Sequence, residues 1–400
     1  MGYNGTQQFF LGDLYDISSG ISKNKEQFGS GYPFLSFKTV FNYTIIPTDL
    51  KDLAQTTLSE QNKYSILYGD VFLTRTSETA NELGMSSVAL KDYPQATFNG
   101  FTKRLRPKKG VMEFIDPKFI AYYLRSKDFR NQIDSISVLT TRASLNQGMI
   151  EKLTITVPNI ETQKKIAAIL SALDEKIAIN RAINENLERQ AQALFKSWFV
   201  DFDSVSKLGF TESELGDIPY GWRIYTLSEF LPVKTGKKNA NVSSDKGAYP
   251  FFSCSQDFSW TDEYSFEGHA ILVAGNGDFN VKWYNGKFEA YQRTYVLIPY
   301  VERYTDWLYY AVKYNLESIT SAARGSVIKF ITKGNLENFA FAAPENLEKC
   351  EIIDTFSSIN RIIDALTQEN YRLAEIRDSL LPKLMSGEID TSTCNFTDYD

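Results

Sequence analysis

The chain has 400 residues, a net charge of −6, and 43% hydrophobic, 14% aromatic and 23% charged residues, which exceeds one ordinary core and predicts two or three well-packed domains. No apolar run approaches the roughly 18 residues of a spanning helix, so no membrane association is expected and cytoplasmic is the default location. The acidic balance excludes a surface coated with phosphate-binding charge, and the scattered Cys254, Cys350 and Cys394 exclude a disulfide framework or a thiolate zinc cluster.

Residues 1–158 form the first predicted globular domain. Its basic candidates are Arg75 and the run Lys103, Arg104, Arg106, Lys108 and Lys109, which has no acid between Phe101 and Gly110. Such side chains can hold phosphates or read guanine edges, and a solvated loop is the plainer reading of the run. Residues 119–129 read as helix. After Pro158 a first long helix is predicted within 159–203, because Ile166, Leu170, Leu173, Ile177, Asn180, Asn184, Leu187, Ala191, Leu194 and Trp198 recur at alternating spacings of four and three. At 1.5 Å per residue such a helix reaches about 45 to 60 Å.

The turn-rich Gly216-Asp217-Ile218-Pro219-Tyr220-Gly221 marks the entry to a second globular domain at 204–344, after a short linker. Residues 270–274 and 295–299 read as strands, with hairpin turns at Gly275-Asn276-Gly277 and Asn285-Gly286, and 305–315 as helix. Lys237, Lys238, Lys282, Arg293, Arg324 and Lys329 are its basic candidates for DNA contact. A second long helix is predicted at 345–387 and an acidic tail at 388–400. Its seam runs Ile352, Phe356, Ile359, Ile363, Leu366, Asn370, Leu373, Arg377, Leu380 and Leu384, each 186 residues after its counterpart in the first helix. Pro382 is expected to kink or end this helix near Leu381.

The same offset relates Gln147-Gly148-Met149-Ile150-Glu151 to Lys333-Gly334-Asn335-Leu336-Glu337, and Pro158 to Pro344. The chain is therefore an internal repeat of domain, helix, domain, helix. The predicted fold class is α+β: two similar mixed α/β globular domains separated by two long helices packed as an antiparallel coiled coil, with a pseudo-twofold repeat. Pairing the seams in reverse sets Asn180 opposite Asn370, where a buried polar pair would fix register.

No constellation for catalysis is legible. The single histidine, His269, lies in a strand-like segment and reads as structural. No Walker A motif occurs, and Ala274-Gly275-Asn276-Gly277-Asp278 lacks the third glycine of a dinucleotide loop and reads as a turn. Glu113, Asp116 and Lys118 are too close in sequence to present separate metal ligands. No catalytic, cofactor or metal residue is expected in this chain.

The pattern resembles a known family, the specificity (S) subunits of type I restriction-modification systems. The resemblance covers nearly the whole chain in architecture. It is sharpest in Val157-Pro158-Asn159-Ile160-Glu161-Thr162-Gln163, in Ala193-Leu194-Phe195-Lys196-Ser197-Trp198-Phe199, in Leu380-Leu381-Pro382-Lys383-Leu384 and in Tyr220-Gly221-Trp222. It implies two target-recognition domains, each reading one half of a bipartite asymmetric site in double-stranded DNA, with the helices as a ruler. It also implies two methyltransferase (M) and two restriction or motor (R) subunits as partners, which would bind S-adenosylmethionine, ATP and magnesium. The second repeat departs from the pattern at Glu345-Asn346-Leu347, where the Glu-x-Gln of the first is missing. The other readings open at this point are a coiled-coil scaffold with two protein-binding domains, and a nuclease or methyltransferase whose site is not legible.

Overall fold

A computed structural model describes residues 5–76, 83–137, 144–321 and 330–391. In chain order the first half contains β1 (Gln7–Phe10), α1 (Leu11–Leu14), β2 (Tyr15–Ser19), β3 (Phe28–Leu35), α2 (Phe37–Asn42), β4 (Leu53–Ala54), α3 (Leu58–Lys63) and β5 (Val71–Thr74). It continues with β6 (Ser86–Val88), β7 (Thr97–Phe98), β8 (Thr102–Pro107), α4 (Pro117–Tyr123), α5 (Lys127–Ser137), α6 (Gln147–Glu151), β9 (Thr154–Val157) and the long α7 (Ile160–Phe199). The second half contains β10 (Phe210–Ser213), β11 (Gly216–Pro219), β12 (Trp222–Thr226), β13 (Val233–Thr235), β14 (Tyr249–Phe252), β15 (Ser259–Thr261) and β16 (Phe266–Ala274). Then follow β17 (Val281–Ala290), β18 (Thr294–Leu297), α8 (Thr305–Tyr314), α9 (Leu316–Ser321), α10 (Lys333–Glu337), β19 (Ala340–Pro344) and α11 (Ile352–Ser386). Two compact units result, residues 1–178 with 370–400, and residues 179–369. Each unit thus holds one globular domain with one part of α7 and one part of α11.

In the first unit the strand order β2-β8-β5-β6 forms a sheet buried on both faces. Side chains alternate along a strand, so Val71 and Leu73 join the core with Phe119, Ile120, Ile166 and Leu170. Phe72, between them, packs with Leu35, Val40 and Phe98 on the other side. This double burial explains why β5 reads as a continuous apolar run rather than an alternation. The second unit repeats the arrangement in the order β13-β18-β16-β17, extended by β14 and β15. Ile271 and Val273 pack with Trp307 and Leu308, and Ala270 and Leu272 with Phe252, Phe288 and Val296. Each fully buried side chain of this size contributes about 1.5–3 kcal/mol. A parallel strand contact recurs too, Phe34 to Thr97 in the first unit and Phe251 to Glu289 in the second.

The repeat is also visible at the helix entries. Asn146 caps α6 by accepting from Met149 N, and Thr332 caps α10 by accepting from Asn335 N. Strand β9 then pairs with β1, and β19 with β12, before each long helix.

Several expectations are corrected. Helix does not run unbroken over 119–129: α4 ends at Tyr123 and α5 starts at Lys127. Asn285-Gly286 is not a hairpin turn but the middle of β17, with Gly286 opposite Gly268 in the ladder. The second long helix begins at Ile352 rather than near 345. Arg303 explains the delay, because its guanidinium takes the carbonyls of Leu347, Glu348 and Cys350 and then ion-pairs with Asp354 in the first turn. Pro382 does not end α11, which runs to Ser386. Leu384, 1% exposed, packs into the first unit's core with Leu380 and Leu381, and this burial holds the final turn.

Candidate nucleic-acid interface

The seam positions named from the sequence, Ile166, Leu170, Leu173, Ile177, Asn180, Asn184, Leu187, Leu194, Ile352, Phe356, Ile359, Ile363, Leu366, Asn370, Leu373 and Leu380, are all buried or half-buried. In the second unit Asn180 Nδ2 donates to Glu369 Oε2 at 2.7 Å, and Asn184 Nδ2 donates to Thr367 Oγ1 at 3.1 Å. Advancing along α7 while retreating along α11 is antiparallel packing. Asn180, expected as a buried polar residue of the seam, is buried, and its bond to the Glu369 carboxylate is charge-assisted.

Each unit also ties its globular domain to the helices through a tyrosine at an equivalent place. Tyr122 donates to Asp174 Oδ2 at 2.8 Å, and Asp174 accepts from Arg377 at 2.6 Å. Tyr310 donates to Asn360 Oδ1 at 2.7 Å, and lies 3.1 Å from Glu188 Oε2. Asn360 in turn donates to the buried Asp306, 2.6 Å away, beside which His269 stands at 3.3 Å. The lone histidine is therefore part of a packed junction. Burial, reinforced by the acidic neighbours, pushes the Tyr122 and Tyr310 hydroxyls far above their usual range, so both remain neutral donors.

The basic run 103–109 begins in strand β8 and ends in the turn after it, and the period of two divides the strand part. Arg104, 8% exposed, donates to Ser65 O at 2.6 Å. Arg106 grips Asp70 through Nε and Nη2 at 2.8 and 2.6 Å. Lys108 donates to Gly12 O at 2.6 Å. These three charges are met inside the domain. Arg125 is also internal, bonding the carbonyls of Val40, Phe41, Tyr43 and Ser86, and burial pushes its guanidinium down to about 10. In the second unit Lys238 pairs with Glu263, and Lys282 donates to the carbonyls of Ser253 and Ser255. Arg324 and Lys329 lie outside the described residues, as does Cys394. Lys109, Lys237 and Arg293 are exposed, and Arg75 is half-buried.

The arrangement that sequence reading missed is a corner repeated in both domains. In the first, Arg75 N donates to Phe101 O at 3.0 Å, Leu145 N to Arg75 O at 2.8 Å, and Thr102 N to Asn99 O at 3.0 Å. In the second, Gly275 N donates to Arg293 O at 2.8 Å, Ile331 N to Gly275 O at 2.9 Å, and Thr294 N to Tyr291 O at 2.8 Å. The turn entering β8 and the turn entering β18 are therefore the same turn. Both are approached closely by a glycine: a Cβ on Gly20 would stand 2.2 Å from Asn99 O, and one on Gly236 2.2 Å from Ala290 O and Tyr291 O. Within this shared frame the side chains differ. The first corner carries Ser19, Arg75, Phe101 and Lys103, and the matching ladder places in the second are Thr235, Gly275, Arg293 and Tyr295. Lys103 Nζ donates to Ser19 Oγ at 2.8 Å, and burial, with Arg75 nearby, pushes its ammonium pKa down. The signals available in sequence were only the common threonine, Thr102 and Thr294, and the common glycine, Gly20 and Gly236, too little to align the two turns.

The frame and its chemistry can be set beside known proteins. The described residues contain no cluster of metal-ligating side chains and no helix long and apolar enough to cross a membrane. The chain is 35% identical to the EcoDI specificity subunit of Escherichia coli over 44% of its own length and 40% of that protein's, so that match spans less than half of the relative. It is 23% identical to the MjaIX specificity subunit of Methanocaldococcus jannaschii over 95% of this chain and 91% of that one. The fold is similar to the crystal structure of the S subunit from M. genitalium, with a TM-score of 0.58, 18% identity and coverage of 96% and 99% of the two chains. The family model for the type I restriction modification DNA specificity domain matches twice, at residues 3–189 and 219–375, once for each repeat. Carrying both copies of that domain over most of its length, the chain belongs to the family of type I restriction-modification specificity subunits.

Proposed function

We propose that each globular domain reads one half of a bipartite, asymmetric site in double-stranded DNA, that the paired helices set the gap between the halves, and that the chain recruits methyltransferase and restriction subunits. The observation that supports this most is one frame built twice with unlike side chains at the same corner. Identical domains would favour a symmetric site, and unlike ones an asymmetric site. Catalysis, with S-adenosylmethionine, ATP and magnesium, belongs in this reading to the partner subunits. DNA contact by Arg75, Lys103, Lys109, Lys237 and Arg293 is part of the proposal. The internal bonds of Arg104, Arg106 and Lys108 leave them positioning roles.

The test is genome-wide mapping of methylated adenine in cells with and without this gene, the partner genes being present. Loss of one bipartite motif with a constant gap is the expected result. An unchanged methylome with an active methyltransferase would favour a scaffold whose domains bind proteins. Inserting one heptad into both helices is expected to change the preferred gap, and an unchanged gap would remove the ruler from the proposal.

A further inference from the structure

We propose that the repeated corner is the specificity-determining site of each domain: Arg293 reads a guanine in the half-site of the second domain, and Phe101 contacts a base edge at the equivalent place of the first. This rests on the DNA-reading function above and assigns residues to it.

Arg293 combines a fixed backbone with a free side chain. Its carbonyl accepts from Gly275 N at 2.8 Å and from Cys254 Sγ at 3.4 Å, while Gln292 N donates to Lys238 O at 2.9 Å and Thr294 N to Tyr291 O at 2.8 Å. Among the described residues its exposed guanidinium has no hydrogen bond or ion pair within the chain. A planar fork of donors on a pinned turn suits the O6 and N7 acceptors of guanine in the major groove, which it can meet bidentately. The other described basic candidates of this domain differ: Lys238 and Lys282 are engaged internally, and Lys237 carries no planar fork.

Phe101, 59% exposed, occupies the matching tip in the first domain and can offer only apolar contact, which suits a thymine methyl group. Behind it Lys103, opposite Leu73 and Ser19 in the ladder, and Arg75, two residues beyond Leu73, fall on one face of the sheet. The Arg75 Nε is buried and has no acceptor among the described residues. No carboxylate lies within ion-pair distance of Arg75 or Lys103 in the described residues. Two neighbouring cations without a counter-charge among the described residues suit a backbone phosphate, which positions DNA without reading its sequence.

The experiment is methylome mapping and in vitro methylation with the complete methyltransferase complex carrying Arg293→Ala, Arg293→Lys or Phe101→Ala. Arg293→Ala is expected to lose discrimination at one G·C pair of one half-site by about ten-fold or more, leaving the other half-site intact. Arg293→Lys keeps the charge but not the fork and should relax the same pair, while Phe101→Ala relaxes one position of the opposite half-site. An Arg75→Ala/Lys103→Ala variant should weaken binding uniformly and flatten its salt dependence. The assignment is overturned if Arg293→Ala leaves the motif unchanged, or weakens both half-sites equally while Arg293→Lys restores them, since that is a phosphate role. A wild-type complex that methylates no bipartite motif would overturn the DNA-reading function itself. A wild-type motif unaltered in all three tip variants overturns only the corner.

Discussion

Removing the Asn360 amide isolates the buried junction between the second domain and its helices. Asn360 is 2% exposed and Asp306 4% exposed; Asn360 Nδ2 donates to Asp306 Oδ1 at 2.6 Å while its Oδ1 accepts from the buried Tyr310 hydroxyl at 2.7 Å. Asn360→Ala leaves a buried carboxylate without its shortest donor. Tyr310 keeps Glu188, 3.1 Å away, so the loss concentrates on Asp306. Breaking a buried hydrogen bond to a charge costs about 3 kcal/mol. At 2–4 °C per kcal/mol for a unit of this size, the corresponding calorimetric transition should fall by about 6–12 °C. The decisive measurement is a double-mutant cycle with Asp306→Ala. Deleting both partners removes the stranded charge, so the double variant should be more stable than the sum of the singles implies, by about 1 kcal/mol or more. Costs that add within about 0.5 kcal/mol would refute the reasoning.

Gly236→Ala places a methyl group 2.2 Å from two carbonyl oxygens, so the turn carrying Arg293 must move; an overpacking cost of about 1–3 kcal/mol in urea unfolding is expected, and an unchanged midpoint would contradict the close approach. Arg106→Ala strands Asp70, whose side chain is 0% exposed, and should cost about 3–5 kcal/mol, whereas Lys109→Ala on the exposed turn should stay within about 0.5 kcal/mol; equal effects in parallel melts would contradict the division of the basic run. The Arg303 guanidinium holds the Asp354 carboxyl below its ordinary range. This pair's stabilisation should be complete above the unfolded-state value of about 3.9 and disappear as pH falls through the lower folded-state value. The urea midpoints of wild type and Asp354→Asn should therefore differ at neutral pH and converge in acid; a gap that widens in acid would reverse the sign.

What was legible in the sequence is what depends on short-range periodicity. The seam spacing of four and three is a property of one helix, so both long helices and their common offset of 186 could be read directly. The start of α8 at Thr305 belongs to the same class of local pattern. The ends of α11 were decided by distant partners instead: Arg303 withdraws three carbonyls before Ile352, and the buried Leu384 carries the helix beyond Pro382. Asn285-Gly286 has the local chemistry of a turn, yet pairing with His269 and Gly268 makes it strand. The charge run 103–109 could not be divided before its strand was known, because only the ladder sends Lys103 and Leu105 to one face and Arg104 and Arg106 to the other. The corner shared by Phe101 and Arg293 is likewise a product of tertiary hydrogen bonds. Backbone amides and carbonyls are the same in every residue, so a frame built from them leaves almost no trace in side-chain identity, and only the folded chain reveals that two unlike turns are one structure.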